Sequence, residues 1–223
     1  MTPSPVSLAL AAVAGGLVGI LLTSCIRNLP RHQPIASPPH TRSQYCIVEI
    51  ITAALFAGAL WYFGVTALFL SRVVFGCALI VLFAIDLEHH LLPNAITLPG
   101  IAIGFLFSLI GDPGWRSSLI GIVIGGGVPF AVAELYYRIR AREGLGLGDV
   151  KMLAMIGAFL GWKLALLTLM LASFAGTIIG LLLIVTRRGG MKYALPFGTF
   201  LALGAAAAAS VGPNLLDWYL GLF

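Results

Sequence analysis

The chain has 223 residues, of which 60% are hydrophobic and 9% are charged, and its formal net charge is +5. About a quarter of the residues in an ordinary soluble domain are charged, so this composition excludes a soluble globular fold. No basic surface with interleaved aromatic residues lies outside the apolar runs, which also argues against a nucleic-acid partner. The sequence predicts an all-α, polytopic membrane protein whose surroundings are the lipid bilayer.

Eight apolar runs are candidate membrane-spanning helices. A helix needs about 20 apolar residues to cross a bilayer, and the runs lie at residues 6–26, 46–63, 66–86, 94–111, 117–138, 149–160, 164–186 and 197–221. The run at 149–160 is short, and Gly161, Trp162 and Lys163 separate it from the next one. We therefore predict a single membrane-embedded domain over residues 1–223, built as a bundle of about eight transmembrane helices. Residues 27–45 form a short, proline-containing loop between the first two.

The basic residues predict the orientation of this bundle. They fall mainly in alternate loops, at Arg27, Arg31, Arg42, Arg138, Arg140, Arg142, Arg187, Arg188 and Lys192. Loops rich in Lys and Arg face the cytoplasm, so both termini are expected outside it. Asp86 and Asp149 are then both at the cytoplasmic face. The net positive charge is explained by these loops and their contact with anionic lipid head groups.

Asp86, in FAIDLEHHLLPN, and Asp149, in GLGLGDVKM, are the main functional candidates. A carboxylate at membrane depth is costly, so a matched pair is a functional-site hypothesis by default. Two neighbouring carboxylates cannot both ionise comfortably, and one is expected to hold a proton near neutral pH. Such a pair supplies a base for water and an acid for a carbonyl. We expect the two carboxyl groups to lie roughly 4 to 8 Å apart, with neither tied up in a buried pair with Arg or Lys.

Each aspartate alone also has a structural interpretation. Asp86 could belong to a solvated polar cluster at a helix end, together with His89 and His90 at i+3 and i+4. Metal binding there is disfavoured, because H-E-x-x-H is absent and adjacent histidines on a helix diverge. Asp149, which follows Gly148 and precedes an apolar run, is a good helix N-cap. These roles are compatible with catalysis.

Three segments together carry a family resemblance: AIDLEHHLLPN, GLGLGDVKMLAMIGAFLGWK and LPFGTFLALGA. They resemble the type IV prepilin leader peptidases, which are GxGD-type aspartic membrane proteases. The similarity covers about residues 46 to 210 and extends weakly to GLVGILLTSCIRNLPR near the start. The most specific part is G-x-G-D-x-K, with Gly146, Gly148, Asp149 and Lys151.

The resemblance implies a function and a set of site residues. It implies Asp86 and Asp149 as the catalytic pair, with Pro196, Phe197 and Gly198 lining the same cleft. The other candidates for substrate binding or support are Glu88, His89, Gly146, Gly148, Lys151 and Glu49, the last matching an acidic position of the family. The implied reaction is removal of the short basic leader of type IV prepilins or pseudopilins, after a glycine, at the cytoplasmic face of a bacterial inner membrane. Type IV pilus or type II secretion systems use such products.

The cysteines depart from the family pattern. Members with the fuller N-terminal region carry two C-x-x-C pairs in the first cytoplasmic loop and methylate the new N-terminus. This chain has only Cys25, Cys46 and Cys77, without that spacing. We expect no metal and no cofactor for proteolysis. S-adenosylmethionine would be a cofactor only if methyltransferase activity were retained, which the missing pairs argue against.

Two other classes of function remain open from the residues. A transporter would also place carboxylates inside a helix bundle, although no convincing repeat of two halves or paired broken helices is visible. A non-catalytic component of pilus or secretion assembly would keep the helices without needing both aspartates.

Overall fold

The computed structural model describes residues 3–29, 46–140, 146–186 and 196–221 of the chain. These residues form seven helices and no strands. The helices are α1 (Pro5–Asn28), α2 (Cys46–Phe63), α3 (Ala67–His89), α4 (Asn94–Ser108), α5 (Trp115–Arg140), α6 (Leu147–Val185) and α7 (Phe197–Leu220). The predicted all-α class is confirmed. Most of the predicted loop 27–45 lies outside the described residues.

Six of these helices are long and apolar enough to cross a membrane, and α4, with 15 residues, is too short by the same criterion. Helix α2 begins and ends where the apolar run predicts, and the others differ from prediction by a few residues. Caps fix two of the starts: the Ser4 and Thr66 hydroxyls accept hydrogen bonds from the Ser7 and Phe69 backbone N–H groups, both at 3.2 Å. The chain is therefore a polytopic helical membrane protein.

Helix α6 is divided at Gly161, whose backbone angles are φ 80° and ψ 172°. The start of α7 lies beside the start of α6, through Leu92, and also beside Gly176, whereas the end of α7 packs against Leu164. The chain therefore reverses direction at Gly161. We call residues 147–160 the first arm and residues 162–185 the second arm. The two arms correspond to the predicted apolar runs 149–160 and 164–186. The seven described helices therefore contain eight helical segments, and the break in α6 lies within the predicted interruption at residues 161–163.

The first arm lies at the centre of the bundle. Residues 152–161 are all buried, as expected for a helix that is apolar on every side and enclosed by neighbours. Helix α6 packs against α4, α5 and α7, while α3 packs against α7 and the α1–α2 pair. Phe159 stacks on Phe75 of α3 with ring centroids 4.9 Å apart. This packing fixes both ends of the first arm relative to α3 and α7.

Helices α5 and α6 approach through glycines. A Cβ atom added to Gly157 would overlap the backbone carbonyl of Gly121, and one added to Gly125 would lie 2.6 Å from the Leu153 carbonyl oxygen. Small residues of this kind allow close backbone approach between membrane helices. The position of the first arm therefore depends on these glycines.

We expect Gly157→Ala to destabilise the fold, because the backbones of α5 and α6 would have to separate. Overpacking of this kind costs about 1–3 kcal/mol, or a fall in Tm of roughly 2–12 °C for a chain of this size. Thermal unfolding in detergent measures it. The control is Gly127→Ala on α5, where an added Cβ meets no atom within 4 Å. Equal Tm values for the two variants would contradict the proposed role of the glycine contact.

Candidate active site

Asp86 lies in the last turn of α3 and is only 5% exposed. The helix continues to His89 and ends at His90, which adopts a left-handed conformation with φ 54° and ψ 39°. The His90 N–H donates to the Asp86 carbonyl oxygen at 2.9 Å. Pro93 and the start of α4 follow directly. Asp86 is therefore a buried carboxyl group rather than a member of a solvated polar cluster.

The start of α7 holds the Asp86 carboxylate. The Thr199 backbone N–H donates to Asp86 Oδ2 at 2.7 Å, and the Gly198 N–H also interacts with the carboxylate. Free N–H groups and the helix dipole make a helix N-terminus a favourable site for an anion. His90 adds a favourable electrostatic contact. These partners orient the carboxylate and offset part of the cost of its burial.

Gly198 leaves the space that the Asp86 carboxyl group occupies. A Cβ atom at this position would lie 2.9 Å from both Cγ and Oδ2 of Asp86 and 3.0 Å from Leu92 Cδ1. Real Cβ atoms essentially never approach a neighbour this closely. Any larger residue would displace the carboxyl group, so the predicted association of Gly198 with the site is explained by contact with Asp86.

Asp149 lies at the N-terminus of the other central helix. Helix α6 begins at Leu147 with Gly146 as its N-cap, so the interpretation of Asp149 as N-cap is wrong by three positions. Asp149 is instead the third helical residue, and its carboxyl group interacts with the Gly146 backbone N–H. A side chain at this position that reaches back to the cap N–H is the acidic half of a capping box. This contact orients the half-buried carboxyl group.

The structure brings Asp86 and Asp149 close enough for their carboxyl groups to interact electrostatically. Leu92 connects the two sides: it contacts Gly198 beside Asp86, and its Cβ would lie 2.9 Å from a Cβ on Gly148. The ion pairs of Arg72 with Asp112 and of Arg138 with Glu134 involve neither aspartate. Two helix N-termini and the end of α3 thus converge on one pair of acids. The separation of roughly 4 to 8 Å stays a prediction.

Some of the other predicted residues lie near Asp86. Pro196 and Phe197, at the start of α7, are half-buried. At the end of α3, His89 is half-buried and Glu88 is exposed. Lys151 does not pair with an aspartate, because its Nζ donates to Asn94 Oδ1 at 2.9 Å and so links α6 to α4. Glu49 packs against Gly19 of α1. That contact places Glu49 at the α1–α2 interface rather than against the two carboxyl groups.

Sequence reasoning missed Thr199, Leu92 and Asn94. Thr199 could have been found from the Pro-Phe-Gly-Thr sequence, because a helix that starts after a proline presents free N–H groups in its first turn. No local pattern marks Leu92, whose role depends on two glycines far away in the chain. Within the described ranges, no three His, Cys, Asp or Glu side chains are grouped so that they could hold a metal ion.

Comparison with known proteins places this arrangement in a family. The sequence model of the type IV leader peptidase family matches residues 73–181, which include both aspartates. Through these residues, the chain belongs to the type IV leader peptidase family. No solved structure matches the chain significantly.

Curated relatives extend the similarity beyond that segment. A prepilin leader peptidase/N-methyltransferase from Burkholderia pseudomallei is 36% identical over 173 residues, covering 76% of this chain and 55% of the relative. The protein of that name from Pseudomonas aeruginosa is 32% identical over 79% of this chain and 61% of the relative. That from Aeromonas hydrophila is 33% identical over 81% and 63%. The chain therefore spans somewhat more than half the length of these relatives.

Proposed function

We propose that the protein is a membrane aspartic endopeptidase that removes the short basic leader of type IV prepilins or pseudopilins. The observation that carries this proposal is the pairing of Asp86 and Asp149, each oriented by backbone N–H groups at a helix N-terminus. A purely structural role would not require a buried acid and a half-buried acid to lie close enough to interact electrostatically. The names of the relatives support the choice of substrate.

The proposed reaction divides acid and base work between the two carboxyl groups. One is ionised and takes a proton from a water molecule while the water oxygen attacks the scissile carbonyl carbon. The other is protonated and gives its proton to the carbonyl oxygen, so that a neutral tetrahedral intermediate forms. Collapse of this intermediate breaks the C–N bond: the carboxyl group that took the water proton gives it to the leaving amine, and the other carboxylate takes a proton from a hydroxyl group of the intermediate. The pair ends with one proton, as it began.

The proposed cleavage site lies after a glycine, on the cytoplasmic side of a bacterial inner membrane. The exposed Glu88 at the end of α3 carries a negative charge near the site, and it is available to attract a basic leader. The proposal is limited to proteolysis. Residues 1–223 contain no C-x-x-C pair.

The direct test is incubation of the purified protein in detergent with a synthetic peptide that carries a prepilin leader. We expect a single cut after the glycine, seen by mass spectrometry, with no change when a chelator is added. Uncleaved peptide in the presence of folded protein would reject the proposal. Loss of cleavage on chelation, with recovery on adding zinc, would replace the aspartate mechanism by metal catalysis.

Topology provides a second test, made on a variant in which Cys25, Cys46 and Cys77 are replaced by serine. A cysteine at Ile139 should react with an impermeant maleimide only from the cytoplasmic side. A cysteine at Gly111 should react only from outside, because it lies at the opposite end of α5. The reverse pattern would place the aspartates on the wrong face for a leader that is cut in the cytoplasm.

A further inference from the structure

A groove lies between α2, α3 and α7, at the end of the bundle away from the aspartates. Its volume is about 440 Å³. Trp61, Tyr62 and Phe63 line its mouth, and mostly small or apolar residues, among them Gly58 and Ala206, line its deeper part. Aromatic side chains of this kind are enriched where a membrane protein meets the head-group region. The groove therefore runs from the interface into the hydrocarbon region.

Arg72 is the only charged residue among those that line the groove. It is 9% exposed, and its Nη2 donates to Asp112 Oδ2 at 3.1 Å. Its Nε and Nη1 atoms are buried and have no hydrogen-bond partner among the described residues. A buried donor without a partner is costly, and more so when it is charged. A guanidinium group forms strong, charge-assisted hydrogen bonds with phosphate oxygens.

The position of Arg72 fits a lipid head group. It precedes Asp86 by 14 positions on α3, which is about 21 Å along the helix axis. It lies near the start of α3 and lines the groove together with the aromatic residues that end α2. The groove follows α2 from Phe63 back to Ala54, a length of about 13 Å. An anion that carries an apolar chain matches both parts of this surface.

We infer that the groove binds a phospholipid of the leaflet opposite the aspartates, with its phosphodiester on Arg72 and one acyl chain along Gly58 and Ala206. Asp112 binds only one guanidinium nitrogen of Arg72, and its side chain is 66% exposed. The other two guanidinium nitrogens therefore remain for the phosphodiester. A transmembrane helix is a poorer occupant. A helical segment of the same length has a volume of about 1,000 Å³, and it offers no phosphodiester to Arg72.

Two variants separate the head-group contact from the acyl-chain contact. Arg72→Gln removes the charge but keeps a polar side chain. Gly58→Leu fills the groove, and it should not disturb the protein because a Cβ added at Gly58 meets no atom within 4 Å. The matched controls are Arg116→Gln, which changes an exposed arginine, and Gly127→Leu, where an added Cβ also meets nothing.

The measurement is native mass spectrometry of the purified protein with phosphatidylglycerol and, separately, with diacylglycerol bearing the same chains. We expect Arg72→Gln and Gly58→Leu each to weaken phosphatidylglycerol binding by about tenfold, while both controls bind like the parent protein. Diacylglycerol should bind weakly to every form. If Arg72→Gln does not fold, the comparison of Gly58→Leu with Gly127→Leu still decides the result.

Three outcomes would overturn the inference. Equal phosphatidylglycerol binding by the parent and Gly58→Leu would show that lipid does not occupy the groove. Diacylglycerol binding as tight as phosphatidylglycerol binding would show that Arg72 does not recognise a phosphodiester. Displacement of the lipid by a synthetic prepilin transmembrane peptide would assign the groove to a protein segment. None of these outcomes depends on whether the protein cleaves leaders.

Discussion

Asp86→Asn and Asp149→Asn should each reduce cleavage of a prepilin leader by orders of magnitude. Asparagine keeps the shape of the side chain and an oxygen that can accept the hydrogen bond from Thr199 or Gly146. It cannot accept or release the proton that the reaction requires. The double variant should be little worse than either single variant, because residues that act as a unit show non-additive losses. The rate of leader cleavage by purified protein in detergent measures all three.

The control for this series is Asp217→Asn, which changes an exposed aspartate of α7. It should cleave like the parent protein. Thermal unfolding should show that all the variants are folded, since each amide keeps one oxygen that can accept a backbone hydrogen bond. Near-normal cleavage by either single variant at Asp86 or Asp149 would end the aspartic-protease assignment.

Gly198→Ala should slow cleavage strongly without destabilising the protein. The new Cβ would lie 2.9 Å from the Asp86 carboxyl carbon, so the carboxyl group must move while Thr199 holds it by a hydrogen bond. Misplacement of a catalytic group by about 1 Å can cost about 100-fold in rate. Alanine is also a better helix former than glycine by about 1 kcal/mol, which opposes any loss of stability.

Gly176→Ala is the matched control, because a Cβ there would meet the Phe200 ring at 3.7 Å, an ordinary contact between α6 and α7. The parent protein and both variants are compared by cleavage rate and by Tm. A cleavage rate for Gly198→Ala equal to that of Gly176→Ala would contradict the proposed steric role. A rate loss with an unchanged Tm would locate the effect at the carboxyl group.

The helices were predictable because membrane crossing imposes long apolar runs with polar residues between them. The break at Gly161 was also visible, since Gly, Trp and Lys interrupt two such runs. The residue at which α6 begins was not predicted. Leu147 and Gly148 form its first turn, in a segment where two glycines weaken helix propensity. The two aspartates were found as costly charges in apolar surroundings.

The contacts that orient the aspartates could not be read from local sequence. Thr199 is 113 positions from Asp86, and its role arises only when α7 packs against α3. The side chain of Lys151, a residue of the motif, donates to Asn94 of α4. Glu49 lies in the first turn of α2 and packs on α1. Motifs indicated which residues matter, whereas packing decided which of them touch.

The first arm of α6 and helix α4 both start beside the aspartates, and both end near the loop that contains Pro113. The arm has 14 residues (147–160) and α4 has 15, so each is only about 21 to 23 Å long. The hydrocarbon core of a bilayer is about 30 Å thick. This mismatch must be relieved by thinning of the bilayer beside α4, which exposes apolar side chains, or by entry of water at the ends of the two short helices. Either would let water reach the two carboxyl groups, where the proposed hydrolysis would consume it.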